Sequence, residues 1–398
     1  MREFWDFLVE ERGNLYSFLG CVLSLIFSII LDNNGKRLAK NIAIGLTVLF
    51  FLLGVSLTWS GYIAQKGEEI TEPVASEIGA DFEQQFIQST LDTSSAYASD
   101  QQYRLAIKSI YDARAVYDCE AFNDVLIDIQ RSYSLHRIAA GRRFSALINS
   151  DGTVSICGSS EMGPCNTSGW RNIISVEVGD YYILGLTEAG TVVATGPTEY
   201  YTGVEDWTNI TMISAGDSHC VGLAADGTLY AAGKNDYGQL NVNELYGPSP
   251  IVSVAAGYRR TVVLYADGTV KAIGRKDGGR CDMSDWVNIV SIAAGSEHTL
   301  GLTAEGKVKS TGDNEFGQCR TTGEGWCNID IISAGDYFSM GLQSGGTVVA
   351  TGQNTSYQCE VNDWENITAI AAGNAQALGL CSNGTIKCAG KQSLGLFS

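Results

Sequence analysis

Three glycines at fixed spacing recur seven times in the last two thirds of the chain. The first glycine ends a short apolar stretch, the second lies eleven residues later, and the third lies six residues after that, with no insertion in any copy. The first glycines are Gly141, Gly179, Gly216, Gly257, Gly295, Gly335 and Gly373. In five copies a Trp-x-Asn-Ile motif begins nine residues before this glycine. Copies start 37 to 41 residues apart. A period of this length indicates stacked units that cannot bury their apolar faces alone.

Within each copy the pattern has the period of β-strands. Asp-Gly or Asn-Gly at 151–152, 226–227, 267–268 and 383–384 favours a two-residue hairpin turn, because both residues tolerate positive φ. Apolar residues alternate before the turn, as in Leu300-Gly301-Leu302, and resume after it. We predict four short strands per copy: A at the first glycine, B before the turn, C after it, and D around sequences such as Phe316-Gly317-Gln318-Cys319.

The repeat resembles that of the regulator of chromosome condensation (RCC1) family in its Trp-x-Asn-Ile, Ala-Gly, His-Thr-Leu-Gly-Leu and Asn-x-Phe-Gly-Gln elements. The resemblance covers about residues 134–398 and implies an all-β, seven-bladed β-propeller. The founding member of the family is a nucleotide exchange factor for a small GTPase and is located on chromatin. Bacterial propellers with the same repeat bind proteins, and one of them is a secreted inhibitor of β-lactamase.

Residues 1–62 have the pattern of a membrane anchor. Two uncharged apolar runs, at about 15–31 and 42–59, approach the length that spans about 30 Å of hydrocarbon. A signal peptide is the alternative for the first run, but the residues before it are acidic rather than basic. Lys36, Arg37 and Lys40 lie between the runs, so the positive-inside rule predicts that this loop is cytoplasmic. Both termini, and the propeller, would then be extracytoplasmic.

Residues 63–133 form an acidic connector with helical spacing. Tyr103, Ile107, Ile110 and Tyr111 lie on one helical stripe. We predict one or two helical hairpins, either a stalk that holds the propeller away from the membrane or a small tetratricopeptide-like docking unit.

Charge and cysteine content limit the possible partners. The formal net charge is −18, and residues 134–398 carry sixteen Lys or Arg against twenty-six Asp or Glu. Nucleic acid is therefore not expected as a partner, because phosphates need a basic surface. Cys165, Cys281, Cys319 and Cys359 occupy similar places in different copies, so they are not expected to pair with one another. We interpret most of them as small buried residues.

The sequence contains no recognisable catalytic motif. His219 and His298 share one repeat position, which indicates a structural role, and His136 is isolated. No HExxH, GxSxG, Cys-x-x-Cys or phosphate-binding loop is present. We predict a protein that is not an enzyme and that uses no cofactor and no metal.

The A–B and C–D connections should lie on one side of the disc, because strand direction alternates within a blade. We call this side the A–B face, and we call the opposite side, with the B–C turns and D–A links, the B–C face. The A–B face is rich in tyrosine and arginine, which often anchor protein interfaces. The candidate binding residues are Tyr181, Tyr182, Tyr200, Tyr201, Tyr237, Tyr258, Arg259, Arg260, Phe316, Tyr337, Phe338 and Tyr357.

These patterns lead to one functional hypothesis and two alternatives. The hypothesis is a membrane-anchored bacterial surface propeller, with two transmembrane helices, that binds a protein or a cell-envelope ligand. The first alternative is a cytoplasmic-facing regulator of a nucleotide-binding protein, similar to an exchange factor. The second is a hydrolase or lyase, for which no motif was found.

Overall fold

The computed structural model describes residues 72–158, 165–323 and 325–391, with side chains from residue 83 onward. The described residues from 87 onward belong to one compact unit. The predicted membrane helices, about 15–31 and 42–59, lie outside the described residues. Among the residues that are described, no helix is both long and apolar enough to cross a bilayer.

The described part of the connector, from residue 72 onward, is helical, as its periodicity predicts. Helix α1 covers Glu72–Ser99, α2 covers Tyr103–Arg114 and α3 covers Glu120–Tyr133. The stripe predicted for α2 is correct at Ile107 and Ile110, whose side chains are fully buried. Tyr103 and Tyr111 on the same stripe are half-buried.

Residues 138–390 form short antiparallel strands that alternate in direction. In chain order they are β1 (Ile138–Ala140), β2 (Phe144–Ile148), β3 (Val154–Gly158), β4 (Ile173–Val178), β5 (Ile183–Thr187), β6 (Val192–Thr195), β7 (Ile210–Ala215), β8 (His219–Ala224), β9 (Leu229–Gly233), β10 (Ile251–Gly257), β11 (Arg260–Tyr265), β12 (Val270–Gly274), β13 (Ile289–Ala294), β14 (His298–Thr303), β15 (Val308–Gly312), β16 (Ile329–Ala334), β17 (Phe338–Gln343), β18 (Val348–Gly352), β19 (Ile367–Ala372), β20 (Gln376–Cys381) and β21 (Ile386–Gly390).

Consecutive triplets of these strands form seven three-stranded sheets, which we call blades 1 to 7. The first strand of each blade contacts the first strand of the next, and β19 of blade 7 contacts β1 of blade 1. The blades therefore close into a ring, in agreement with the predicted seven-fold repeat. Strands A, B and C of the prediction are the three strands of each blade.

The predicted D strand is wrong, because the segment around Phe316 is a tight turn. The buried Gln318 side chain accepts a hydrogen bond from Phe316 N (3.0 Å), and Asn314 Oδ1 accepts one from Cys319 N (2.9 Å). Corresponding bonds occur in blades 3 and 6. The side-chain amides satisfy the backbone donors that a fourth strand would have paired, so the chain turns instead of extending.

The first glycine of each copy, which we call the ring glycine, lies where neighbouring blades come closest. A Cβ atom on Gly141 would lie only 2.5 Å from the carbonyl oxygen of Gly179, and the same close approach continues around the ring to Gly373, which faces the carbonyl of Gly141. No side chain fits at these positions. The repeated glycine is therefore required by the closure of the ring around its axis.

The Trp-x-Asn-Ile motif packs the middle strand. Trp286, which is 4% exposed, covers the backbone of Gly301 in β14. The asparagine of the motif, Asn288, has a φ of 55°, which turns the chain sharply into the following A strand. This arrangement recurs in the other four copies that contain the motif.

Helices α2 and α3 pack on the B–C face of the ring. Their buried apolar residues are Ala106, Ile107, Ile110, Ala113, Phe122, Leu126 and Ile129. Polar side chains of the two helices also donate to backbone carbonyls near the B–C turns and at the starts of A strands. The pairs are Arg104 to Ala304 (2.8 Å), Tyr111 to Ile289 (2.9 Å), Arg114 to Ala266 (2.5 Å), Gln130 to Val290 (2.9 Å), Arg131 to Ala225 (2.9 Å) and Tyr133 to Asp330. This part of the connector is therefore a cap on the ring and not a free stalk.

Candidate binding face

The centre of the A–B face is a shallow polar cavity on the ring axis. It is open to solvent, and the residue after the ring glycine contributes to its wall in six of the seven blades. These six residues are Arg142, Asp180, Asp217, Ser296, Asp336 and Asn374. We call the cavity the axial mouth. Three carboxylates and one guanidinium there give it an acidic character.

The carboxylates of the axial mouth influence one another. Burial raises the pKa of Asp217 to about 8, and the nearby charges of Asp180 and Asp336 add to the effect. Burial also raises the pKa of Asp180 to about 6, again with help from Asp336, whereas Arg142 at 3.5 Å opposes this shift. Removing charged groups from water and placing like charges together both disfavour the ionised form. The axial mouth therefore binds protons at neutral pH that isolated aspartates would have lost.

Asp336 is held by neighbours on both sides. Ser296 Oγ donates to Asp336 Oδ1 (2.9 Å), and Asn374 Nδ2 donates to Asp336 Oδ2. These bonds connect blades 5, 6 and 7 across the axial mouth and give its wall a defined shape.

Pairs of aromatic and basic side chains surround the axial mouth. The Arg259 guanidinium lies 4.3 Å from the ring centroid of Tyr258 and 4.7 Å from that of Tyr237, and it donates to the Tyr237 hydroxyl (2.6 Å). Arg143 lies 5.0 Å from the ring centroid of Tyr181, which stacks on Tyr200 with ring centroids 5.9 Å apart. Such cation–π contacts hold flexible arginines in place at a surface.

A third aromatic pair lies in blades 5 and 6, where Phe316 meets Tyr337 edge to face with ring centroids 5.4 Å apart. Tyr237, Phe316 and Tyr357 are 44%, 42% and 71% exposed. The half-buried members of the predicted set are Tyr181, Tyr200, Tyr201, Tyr258, Arg259 and Tyr337. We call these nine residues the aromatic rim.

Tyr182, Arg260 and Phe338 are fully buried and do not belong to the binding face. Each lies three residues after a ring glycine, where the side chain points into the gap between two blades. Tyr182 Oη donates to the carbonyl oxygens of Gly216 (2.9 Å) and His219 (2.6 Å) in the next blade. The prediction assigned these three side chains to the surface because they follow exposed loop residues.

Two histidines share this buried position. His219 hydrogen-bonds Thr261 (3.0 Å), and His298 hydrogen-bonds Ser339 (2.8 Å), in each case across a gap between blades. Burial lowers the pKa of His219 to about 4 and that of His298 to about 3. Both rings are therefore neutral at physiological pH. Alignment with these histidines would have identified Tyr182, Arg260 and Phe338 as residues between blades.

The candidate binding residues taken from the sequence did not include the three carboxylates of the axial mouth, Asp180, Asp217 and Asp336. All three follow a ring glycine directly, so a Gly-Asp pair in three copies was the available signal. Among the described residues, no group of three or more His, Cys, Asp or Glu side chains is arranged to hold a metal ion.

Comparison with known proteins supports the repeat assignment. The regulator of chromosome condensation (RCC1) repeat matches residues 210–239, 289–318 and 329–358. These segments run from strand A to the C–D turn in blades 3, 5 and 6. The chain therefore contains RCC1-type repeats. No curated protein matches the chain.

Three solved structures illustrate the similarity in fold. The CRINKLY WD40 ectodomain of the Arabidopsis thaliana receptor kinase ACR4 is 20% identical, with a TM-score of 0.54, over 66% of this chain and 97% of that one. The ectodomain of the Physcomitrella patens receptor kinase CR4 is 19% identical (TM-score 0.51; 64% and 72%). Prp20p from Saccharomyces cerevisiae, described with its binding to Gsp1p and histones, is 18% identical (TM-score 0.51; 66% and 84%). At these identities the likeness concerns the fold alone.

Proposed function

We propose that this chain is a membrane-anchored interaction protein whose propeller binds a protein ligand through its A–B face. The main observation in support is that the two faces of the ring differ in availability. Helices α2 and α3 pack on the B–C face, and their polar side chains use carbonyl groups there. The aromatic rim and the axial mouth lie on the other face, away from these helices.

The chemistry of the A–B face suits a protein ligand. Tyrosine side chains bury a large area for little loss of conformational freedom. Tyrosine and arginine frequently contribute the largest energies in protein interfaces. On this face cation–π contacts with tyrosine already hold arginine side chains in place, as for Arg259 between Tyr237 and Tyr258. An ordered surface loses less entropy on binding than a flexible one.

Anchoring and an extracytoplasmic location are part of the same proposal. Their support is the pair of apolar runs and the basic loop between them. In the fold comparison, two of the similar structures are receptor-kinase ectodomains. Cys327 is an exposed cysteine, so it can report the location of the propeller. In intact cells, a membrane-impermeant maleimide should label the wild-type chain, and Cys327→Ser should lose most of the label. Labelling only after lysis would place the propeller in the cytoplasm.

The binding face can be tested with matched tyrosine variants. Tyr237 and Tyr246 are 44% and 47% exposed, but Tyr246 lies in a D–A link on the B–C side, where its hydroxyl accepts from Leu229 N (2.8 Å). Full-length protein and each alanine variant would be used to isolate binding partners by affinity. We expect a partner recovered with wild type to be retained by Tyr246→Ala and weakened by Tyr237→Ala, at a cost of about 2 kcal/mol for a true anchor.

The reverse pattern, with Tyr246→Ala losing the partner and Tyr237→Ala keeping it, would show that the A–B face is not the binding face. Recovery of a nucleotide-binding protein by a propeller that faces the cytoplasm would instead support the exchange-factor alternative. Asp267→Ala, in the B–C turn of blade 4, is a second control and should leave binding unchanged.

A further inference from the structure

The ring is closed at one place without a peptide connection, between blade 7 and blade 1. At the other six junctions the chain passes directly from one blade to the next. At the closing junction, β19 lies against β1, and Gln376 Nε2 donates to Ser145 Oγ (2.6 Å). This junction is held by side-chain packing and hydrogen bonds, so it is the position at which the ring can open without breaking the chain.

Two repeat positions contribute to the gap between neighbouring blades. One lies two residues before the third glycine of a blade, and the other lies one residue before the third glycine of the next blade. In three junctions these positions share a single apolar cluster and are occupied mainly by alanine. The pairs are Ala194 with Ala232, Ala231 with Ile273, and Ala350 with Ala389.

At the closing junction the same two positions are Cys388 in blade 7 and Cys157 in blade 1. Cys388 is paired in register with Leu378, and both belong to the cluster between blades 7 and 1. Cys157 is paired with Ser145, the residue that Gln376 of blade 7 contacts. Directly opposed residues in antiparallel strands project to the same side of a sheet. Both cysteines therefore face the gap between the two blades.

A further observation agrees with this placement. Burial raises the pKa of the Cys388 thiol, and the neighbouring Cys157 adds to the rise. The four cysteines at the repeated C–D position lie outside the strands of the blades, and their thiols approach backbone carbonyls of their own or the adjacent blade. The thiols of Cys281, Cys319 and Cys359 lie 3.3, 3.3 and 3.4 Å from such oxygens.

We propose that Cys157 and Cys388 form a disulfide bond that closes the propeller ring covalently. The oxidant is a disulfide of low molecular weight or a protein disulfide. One cysteine thiolate attacks it and releases the first reduced thiol; the second cysteine thiolate then attacks the mixed disulfide and releases the second. Two S–H bonds are replaced by one S–S bond, the two protons pass to solvent or to the departing thiolates, and the oxidant is reduced to two thiols. Under reducing conditions the ring is closed by packing alone.

The bond should have a measurable effect on stability. It connects residues far apart in sequence, and the stabilisation expected from a cross-link grows with the length of the loop that it closes. We expect full-length protein incubated with oxidised glutathione to melt about 5 °C or more above the dithiothreitol-reduced protein. Mass spectrometry of the unreduced digest should contain a peptide pair that joins Cys157 to Cys388. In Cys157→Ser the peptide pair and the shift in Tm should both disappear.

Two controls make the experiment decisive. Cys319→Ser should keep both the cross-link and the shift, because Cys319 belongs to the other class of cysteines. The second control moves the cysteine pair to the junction between blades 6 and 7. Cys157 and Cys388 are replaced by serine, and Ala350 and Ala389, which occupy the equivalent positions, are replaced by cysteine. This engineered pair should also form a cross-link. Cross-linking by this engineered pair, but not by the native pair under the same conditions, would overturn the proposal. Pairing of Cys157 or Cys388 with any other cysteine would also overturn it.

Discussion

The close contact between Gly301 and Trp286 allows a quantitative test of the blade structure. A Cβ atom on Gly301 would lie 2.5 Å from Cζ3 of Trp286, whereas carbon atoms in contact are usually about 3.5–4.0 Å apart. In Gly301→Val, either the indole or strand β14 must therefore move by about 1 Å. Trp286 is buried, so its surroundings resist this movement. Overpacking of this kind costs about 1–3 kcal/mol, and the two γ-methyl groups of valine place the cost at the upper end.

The corresponding loss should be visible in thermal unfolding. In a domain of this size, about 1 kcal/mol corresponds to about 2–4 °C in Tm, so we expect Gly301→Val to lower Tm by about 5–10 °C. A Cβ atom on Gly323 would meet no other atom within 4 Å, and Gly323→Val should change Tm by less than about 2 °C. The decrease in Tm for Gly341→Val should lie between those of the other two variants, because a Cβ atom on Gly341 would be 3.0 Å from Trp326. Equal Tm values for the Gly301 and Gly323 variants would refute this account of the blade.

Two further predictions concern the axial mouth and the helical cap. The pKa of Asp217 is about 8 in the folded protein, against an ordinary value of 3.8. Between these two pH values the folded protein holds a proton that the unfolded chain has lost. The free energy of unfolding should therefore fall as pH rises from 6.5 to 8. Asp217→Asn should remove most of this fall, up to about 2 kcal/mol, in urea titrations at the two pH values; an unchanged fall would mean that another group is responsible. Arg104→Ala breaks a 2.7 Å ion pair with Asp330. It should lower the free energy of unfolding by about 1–3 kcal/mol and accelerate hydrogen exchange in α2 and α3. Lys108→Ala breaks the more exposed pair with Asp112 and should change neither quantity. Equal exchange in the two variants would show that Arg104 does not hold the cap on the ring.

Much of the blade could be predicted from the sequence because its strongest constraints are local. The spacing of the glycines, the period-two alternation around Gly301 and the Asp-Gly turns each reflect the geometry of one hairpin. The number of blades followed from counting copies. These features need no knowledge of distant contacts, and the structure agrees with them strand by strand for A, B and C.

The D segment was predicted wrongly because its pattern has two physical explanations. The apolar residue in Asn314-Glu315-Phe316-Gly317-Gln318 is compatible with a short strand, but the amide side chains at both ends can also satisfy the backbone locally. The structure adopts the second solution, with Gly317 at a φ of 85°. Asparagine, glycine and glutamine at these positions were the available evidence for a turn.

The helical cap was not predicted because its contacts have no sequence signature on the ring. The ring side of these hydrogen bonds consists of backbone carbonyls, such as those of Ala304 and Ala266, which any residue type would provide. The amphipathic pattern of α2 indicated that it packs against something, but it could not indicate what. The location of the cap is therefore information that only the structure supplies.

The A–B loop shows how the ring separates structural from functional positions. In blade 1, Arg142 lines the axial mouth, Arg143 contacts the rim residue Tyr181, and Phe144 enters the gap between blades. The third position must fit the next blade: Arg260 there donates to Ser296, Gly295, His298 and Thr299, so its chemistry is determined by packing. The first position is restricted in blades 5, 6 and 7, where Ser296, Asp336 and Asn374 hydrogen-bond one another. We expect the specificity of the A–B face to be encoded mainly at the remaining first and second positions and in the exposed aromatic residues of the C–D turns.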